Sequence, residues 1–211
     1  MWYMETQAPT AVTDRGRRSR ESIVDAAAAL MYTHGVAGTS VDKVLAASGA
    51  GKSQMYHYFK NKDQLVEAVI DRYLERILGN QPTIRALTSW ADFDRWAEEL
   101  LALHRGPDGP IACPLGNLAG ELGDQPRVRL LLDRAYRDWE SHLERGLHTL
   151  RDKGLLRSTA DPARLAQSAM ACLQGGLLLG HIRNDITPIE DVLRIAITHL
   201  RSHAVDADER G

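Results

Sequence analysis

The chain has 211 residues, 44% hydrophobic and 26% charged, a balance that suits a folded core and excludes global disorder, collagen-like repeats and a disulfide-dense secreted module. Its two cysteines, Cys113 and Cys172, sit in no C-x-x-C and beside no H-x-x-x-H, so no metal framework and no cofactor are expected. The net charge of −2 is unevenly spread: residues 1–62 hold eight Lys/Arg against five Asp/Glu, and the remainder eighteen against twenty-three, so the front of the chain is the end that suits a polyanion.

Residues 1–18 lack periodicity and run into the basic cluster Arg15, Arg17, Arg18 and Arg20, which predicts a flexible basic arm. From Ser19, the residues Ile23, Ala26, Ala27, Leu30 and Met31 fall on one face of an amphipathic helix that Gly35 ends. Thr39-Ser40 offers an N-cap for a short helix with Val41, Val44 and Leu45 inward, closing at Gly49. Lys52 to Tyr58 make two helical turns. Asn61 then caps a helix with Gln64 at its third position, and Leu65, Val66, Val69, Ile70, Tyr73 and Leu74 form its apolar side.

The remainder is helical by the same period. Segments at 89–104, 114–122 and 126–153 are followed by two that open on Asp161-Pro162 and Thr187-Pro188, running to roughly 184 and 203. No alternating strand pattern occurs, so the fold is expected to be all-α with about nine helices. The chain shows neither a secretory leader pattern nor a run of about 18 apolar residues, so a cytoplasmic protein without a membrane span is expected.

Two readings compete for residues 39–62, TSVDKVLAASGAGKSQMYHYFKNK. Ala46 through Gly51-Lys52-Ser53 fits a permissive phosphate-loop pattern, which would make the protein a nucleotide hydrolase. Against it, Ala46 replaces the first glycine, and the preceding Val41–Leu45 has charges and helical spacing where a buried strand is needed. The second reading is a helix-turn-helix. Gly49 makes the turn, Ala46 lets the helices cross closely and Met55 faces the core. The outer side of Lys52–Tyr58 then carries a phosphate-seeking lysine, a glutamine able to pair with adenine, and tyrosine hydroxyls. Phe59 is expected to pack.

Residues 20–70 resemble the DNA-binding domain of the TetR family of bacterial transcriptional regulators, through Gly35, Thr39-Ser40, Gly49 and the run Tyr56-His57-Tyr58-Phe59-Lys60-Asn61-Lys62-Asp63-x-Leu65. The resemblance implies that Ser40, Lys52, Ser53, Gln54, Tyr56, Tyr58 and Lys62 touch double-stranded operator DNA, Tyr56 and Lys62 mainly at phosphates. Gly51 departs from the family by standing where a polar cap is common. The resemblance also implies a domain at 19–65 for DNA and one at 66–204 for effector binding and dimerisation, with a flexible tail at 205–211. A homodimer would form through the helices near 162–184 and 188–203. The stripe Ala166, Ala169, Met170, Leu173, Gly176, Leu177 and Gly180 suits close helix approach there.

Cys113-Pro114-Leu115-Gly116-Asn117-Leu118 with Glu121 is similar to a run in a multidrug-responsive subgroup of that family. Trp90, Phe93, Trp96, Asn117, Tyr136, Trp139 and Gln174 are the expected walls of a cavity for a small hydrophobic or aromatic effector. Cys113 and His104 lack an evident orienting carboxylate, so no nucleophile and no catalysis are expected. The expected function is a ligand-responsive dimeric regulator, most simply a repressor.

Overall fold

The computed structural model describes residues 14–106 and 109–205. Among these, nine α-helices follow one another: α1 (Asp14–His34), α2 (Val41–Ser48), α3 (Lys52–Tyr58), α4 (Lys62–Gly79), α5 (Trp90–His104), α6 (Pro114–Leu122), α7 (Pro126–Asp152), α8 (Pro162–Arg183) and α9 (Thr187–Arg201). No strand occurs among the described residues, apart from an isolated antiparallel bridge between Leu156 and Ala204. The all-α expectation holds.

The expected punctuation is also where the chain turns. Ser40 caps α2 by accepting from the Lys43 N–H at 3.2 Å, and Asp161 caps α8 by accepting from Ala163 and Arg164. Asn61 accepts from the Gln64 N–H at 3.0 Å, while the Gln64 side chain reaches back to the Lys60 N–H at 2.9 Å, one residue beyond the usual box. Gly35 and Gly49 take φ of 70° and 68°, the left-handed exits that a side chain would strain.

Four local readings need correction. Helix α1 begins at Asp14, so Arg15, Arg17 and Arg18 are helical; Asp14 sits in the first turn, 2.9 Å from Arg17, and arginines propagate helices well. The rest of the expected arm, residues 1–13, lies outside the described residues, as does nearly all of the expected tail. Thr187 is the first residue of α9 rather than its cap, which is Ile186; Asp185, one residue earlier, accepts from the Thr187 N–H at 2.9 Å and its hydroxyl at 2.8 Å. A 3-10 turn at Pro82–Ala86 was not expected, and Ala46 is exposed rather than at a helix crossing.

Contacts divide the chain into two units, with the change between Arg72 and Tyr73 inside α4. In the first, α1 packs against both α2 and α3. Buried there are Ile23, Val24, Ala27 and Met31 of α1, Val44, Met55, and Leu65, Val69 and Ile70 of α4. Ser22 donates to the Ser48 carbonyl at 3.0 Å and pins the end of α2 to α1.

In the second unit, α7 packs on α8, α8 on α9, and α5 on α9, around Phe93, Trp96, Trp139, Leu143 and Leu147. Gly146 allows this: a methyl there would fall 2.6 Å from Leu87 Cβ and 3.1 Å from Phe93 Cζ. Glycines also set the α8–α9 seam. A Cβ on Gly176 would overlap the Val192 side chain, and one on Gly180 would stand 2.9 Å from Ile189. The small-residue stripe expected at a dimer interface is therefore spent inside the chain, with Ala166, Ala169, Met170, Leu173 and Leu177 in the core.

Candidate functional site

Met55 is 1% exposed and anchors α3, so the remaining turns of this short helix are displayed. Lys52, Ser53, Gln54, Tyr56 and His57 are exposed and Tyr58 is half-buried. Tyr56, at 57% exposure, presents its ring rather than packing it. Phe59 does pack, with the Arg20 guanidinium 5.3 Å over its ring. His57 shares the displayed face with Ser53, and the i, i+4 spacing from Ser53 was the signal that could have found it.

Several of these side chains already have partners. Lys52 Nζ lies 3.4 Å from Asp42 Oδ1, an exposed pair of little strength that a phosphate can replace. Gly51 gives α3 no side-chain cap, and Gln54 Oε1 compensates by accepting from the Gly51 N–H at 3.1 Å. Half-buried Lys62 donates from Nζ to the Val36 carbonyl just beyond α1, leaving two ammonium protons for a further acceptor. The Ser40 hydroxyl is exposed at the α2 N-cap. Ala46–Ser53 spans the end of α2, a turn and the start of α3, where a phosphate loop would follow a strand, so the nucleotide-hydrolase alternative is left without support.

Two adjoining cavities of the second unit share Ala112 and Cys113 in their walls. One, of about 100 Å³, is lined by Ile77, Gln81, Leu100, His104, Trp139 and Leu177 among others. The other, of about 220 Å³, brings together Asn117, Tyr136 and Gln174 beside Leu178. There Tyr136 donates its hydroxyl to Gln174 Oε1 at 3.2 Å, and Cys113 Sγ lies 3.8 Å from the same hydroxyl. A Cβ on Gly116 would stand in ordinary contact with that oxygen, at 3.7 Å.

Of the seven expected wall residues, Trp139 lines the smaller cavity and Asn117, Tyr136 and Gln174 the larger. Phe93 and Trp96 are fully buried core, and Trp90 packs against Phe93 with Arg201 over its ring at 5.6 Å. Residues that the aromatic stripe did not point to, namely Ile77, Gln81 and His104, complete the smaller wall.

Burial dominates the chemistry. It pushes the Cys113 thiol and the Tyr136 phenol up, so both stay protonated, and it pushes His104 down to about 4, so that imidazole is neutral. The group suits uncharged molecules.

The description "Bacterial regulatory proteins, tetR family" matches residues 23–69, and "Tetracyclin repressor-like, C-terminal domain" matches residues 85–196. The regulator LmrA of Bacillus subtilis is 31% identical over 178 residues, covering 81% of this chain and 90% of that protein. An uncharacterised helix-turn-helix regulator from the lacX 3′ region of Lactococcus lactis is 30% identical, covering 82% and 89%. A TetR regulator crystal structure from Chloroflexus aurantiacus superposes with a TM-score of 0.77 at 26% identity, covering 91% of this chain and 98% of that one. With family descriptions matching both units and relatives matching along most of its length, the chain belongs to the TetR family of transcriptional regulators.

Proposed function

We propose that the protein is a homodimeric repressor that α3 holds on a palindromic operator and that a small, mainly hydrophobic effector releases. The observation that carries the effector half is the composition of the smaller cavity wall. Arg76 and Ile77, from the last turn of α4, stand in it with Trp139 of α7, and α4 begins at Lys62, directly after the helix-turn-helix. A ligand that displaces this wall acts on the helix that leaves the DNA-binding unit.

On the DNA side, Lys52, Ser53, Gln54 and Tyr58 face the bases and nearby phosphates, while Ser40, Tyr56 and Lys62 hold the backbone. Two copies place two α3 helices in successive major grooves about 34–36 Å apart. The dimer uses the outer side of α8 and α9. Ala171, Gly175, Leu178 and Ile182 recur along α8 at intervals of four, three and four and are all exposed; Ile195 of α9 is exposed as well. The setting for such a regulator is the cytoplasm.

The effector binds the DNA-free arrangement better, so DNA weakens effector affinity by the same factor, typically about 5–150-fold. Titrating small apolar compounds into the protein on its selected operator tests this. Release should coincide with quenching of tryptophan emission, and Trp139→Phe should shift the concentration at which both occur. A compound that quenches without releasing DNA, through the whole set, counts against the repressor reading.

A further inference from the structure

We propose that His104 is the polar anchor of the smaller cavity, and that the occupant is an uncharged, mainly apolar molecule of one-ring size carrying a hydroxyl, of the phenol class. The inference rests on the effector-cavity reading and gives that cavity a ligand chemistry.

His104 ends α5 and is 5% exposed, and its Nδ1 is buried with no hydrogen-bond partner. Among the described residues it is the buried side-chain nitrogen or oxygen left in that condition. Buried polar atoms are nearly always paired, and His104 is one of the residues that line the cavity, so its orphaned nitrogen is the atom that a bound molecule would satisfy. Two of its polar neighbours on the wall are already engaged. Gln81 Oε1 accepts from the indoles of Trp96 and Trp139 while its Nε2 donates to the Ile77 carbonyl, and Cys113 faces the Tyr136 hydroxyl. Leu100, Leu103, Ile111 and Leu177 supply an apolar lining.

A hydroxyl both donates and accepts, so it satisfies Nδ1 whichever ring nitrogen carries the proton. A carboxylate could only accept from an Nδ1–H and would bring a full negative charge against a mainly apolar lining, which burial opposes. Arg76 also lines the cavity, as an exposed residue with an interaction of its own. Among the described residues, no carboxylate lines the cavity to receive an ammonium. The volume of about 100 Å³ is of the order of dry cavities of roughly 150 Å³ that take benzene.

The test uses the full-length protein without DNA and three probes of similar shape: phenol, toluene and benzoate, titrated by calorimetry. Phenol should bind about tenfold more tightly than toluene, with benzoate weakest, and His104→Leu should bring phenol and toluene level. In the unsubstituted protein the ¹⁵N resonance of His104 Nδ1 should move on adding phenol and not toluene, a readout that does not depend on the variant folding. Equal affinity for phenol and toluene, a preference for benzoate, or an Nδ1 resonance indifferent to phenol would overturn the proposal, including the case where a buried water alone pairs that nitrogen. Phenol that binds through His104 yet leaves operator complexes intact keeps the anchor and overturns the effector reading; release by a ligand to which His104 is silent does the reverse.

Discussion

Trp139 donates its indole N–H to the side-chain oxygen of Gln81 at 3.3 Å, and that same oxygen takes the Trp96 indole at 2.8 Å. Gln81 is 2% exposed and sits just after α4, so one amide joins the end of that helix to α5 and α7 behind the smaller cavity. Gln81→Leu strands two buried donors, and each stranded donor costs about 1–3 kcal/mol, whereas Trp139→Phe removes one donor and keeps most of the ring. Denaturant unfolding should rank Gln81→Leu as the more damaging change. The reverse order would mean that the indole ring, not the shared acceptor, holds this region.

Gln54 has two roles to separate. Its oxygen caps α3 through Gly51, and its amide is the expected reader of a base. Gln54→Glu keeps an acceptor at the helix N-terminus, where negative charge is welcome, but loses the NH₂ donor that adenine requires. Thermal stability should stay within about 0.5 kcal/mol of the parent while base preference at one operator position changes by about 1–3 kcal/mol. Gln54→Ala should lose both. A Glu variant with unchanged sequence preference leaves Gln54 only its capping role.

Lys62 is tied to the Val36 carbonyl, so a loss of DNA affinity in Lys62→Ala has two possible origins. A phosphate contact predicts weaker binding to every duplex alike and a salt slope smaller by roughly one. A brace predicts a lower melting temperature instead. Measuring salt dependence and melting on the same variant assigns the role, and the proposed phosphate contact requires the slope to change.

The α8–α9 glycines and the exposed stripe should respond differently to substitution. Gly176→Trp forces a ring onto Val192 and Pro188 of the same chain and should unfold the second unit, whereas Ile182→Glu, 69% exposed at the parent residue, should leave the fold intact and yield monomers in sedimentation. A folded, dimeric Ile182→Glu protein moves the interface off this face.

Neutral His104 also sets a pH dependence. Its ordinary value of 6.5 falls to about 4 on folding, so between those values the unfolded chain takes up a proton that the folded chain refuses. Stability therefore falls as pH drops through that window, by at most about 3 kcal/mol from this group, and levels off below it. His104→Leu should flatten that part of the stability curve. If wild type and variant run parallel from about pH 7 to pH 4.5, the imidazole is not held neutral.

Helices and caps were legible in the sequence because both are local. Ser40, Asn61, Asp161, Gly35 and Gly49 each act on residues within a few positions, and each does so in the structure. What periodicity could not reveal was which neighbour a face meets. The stripe through Gly176 and Gly180 fits any close helix, and only the tertiary arrangement shows α9 of the same chain in that place. The aromatic stripe had the same ambiguity: Phe93 and Trp96 fill the core, whereas Trp139 also reaches a cavity. Gln81 carried no sequence signal and His104 none as a cavity residue, since their importance comes from burial and from partners 15 and 58 residues away for Gln81, and from a missing partner for His104.

The most direct measurement is selection of duplexes from a random pool by the full-length protein, followed by binding of the enriched sequence to the dimer. The account predicts a two-fold symmetric site whose half-site centres lie about 34–36 Å apart, with a base preference that Gln54→Glu rewrites and Tyr56→Phe weakens without rewriting. A pool that yields no enriched sequence, or an enriched sequence whose preferences survive changes throughout α3, would contradict it.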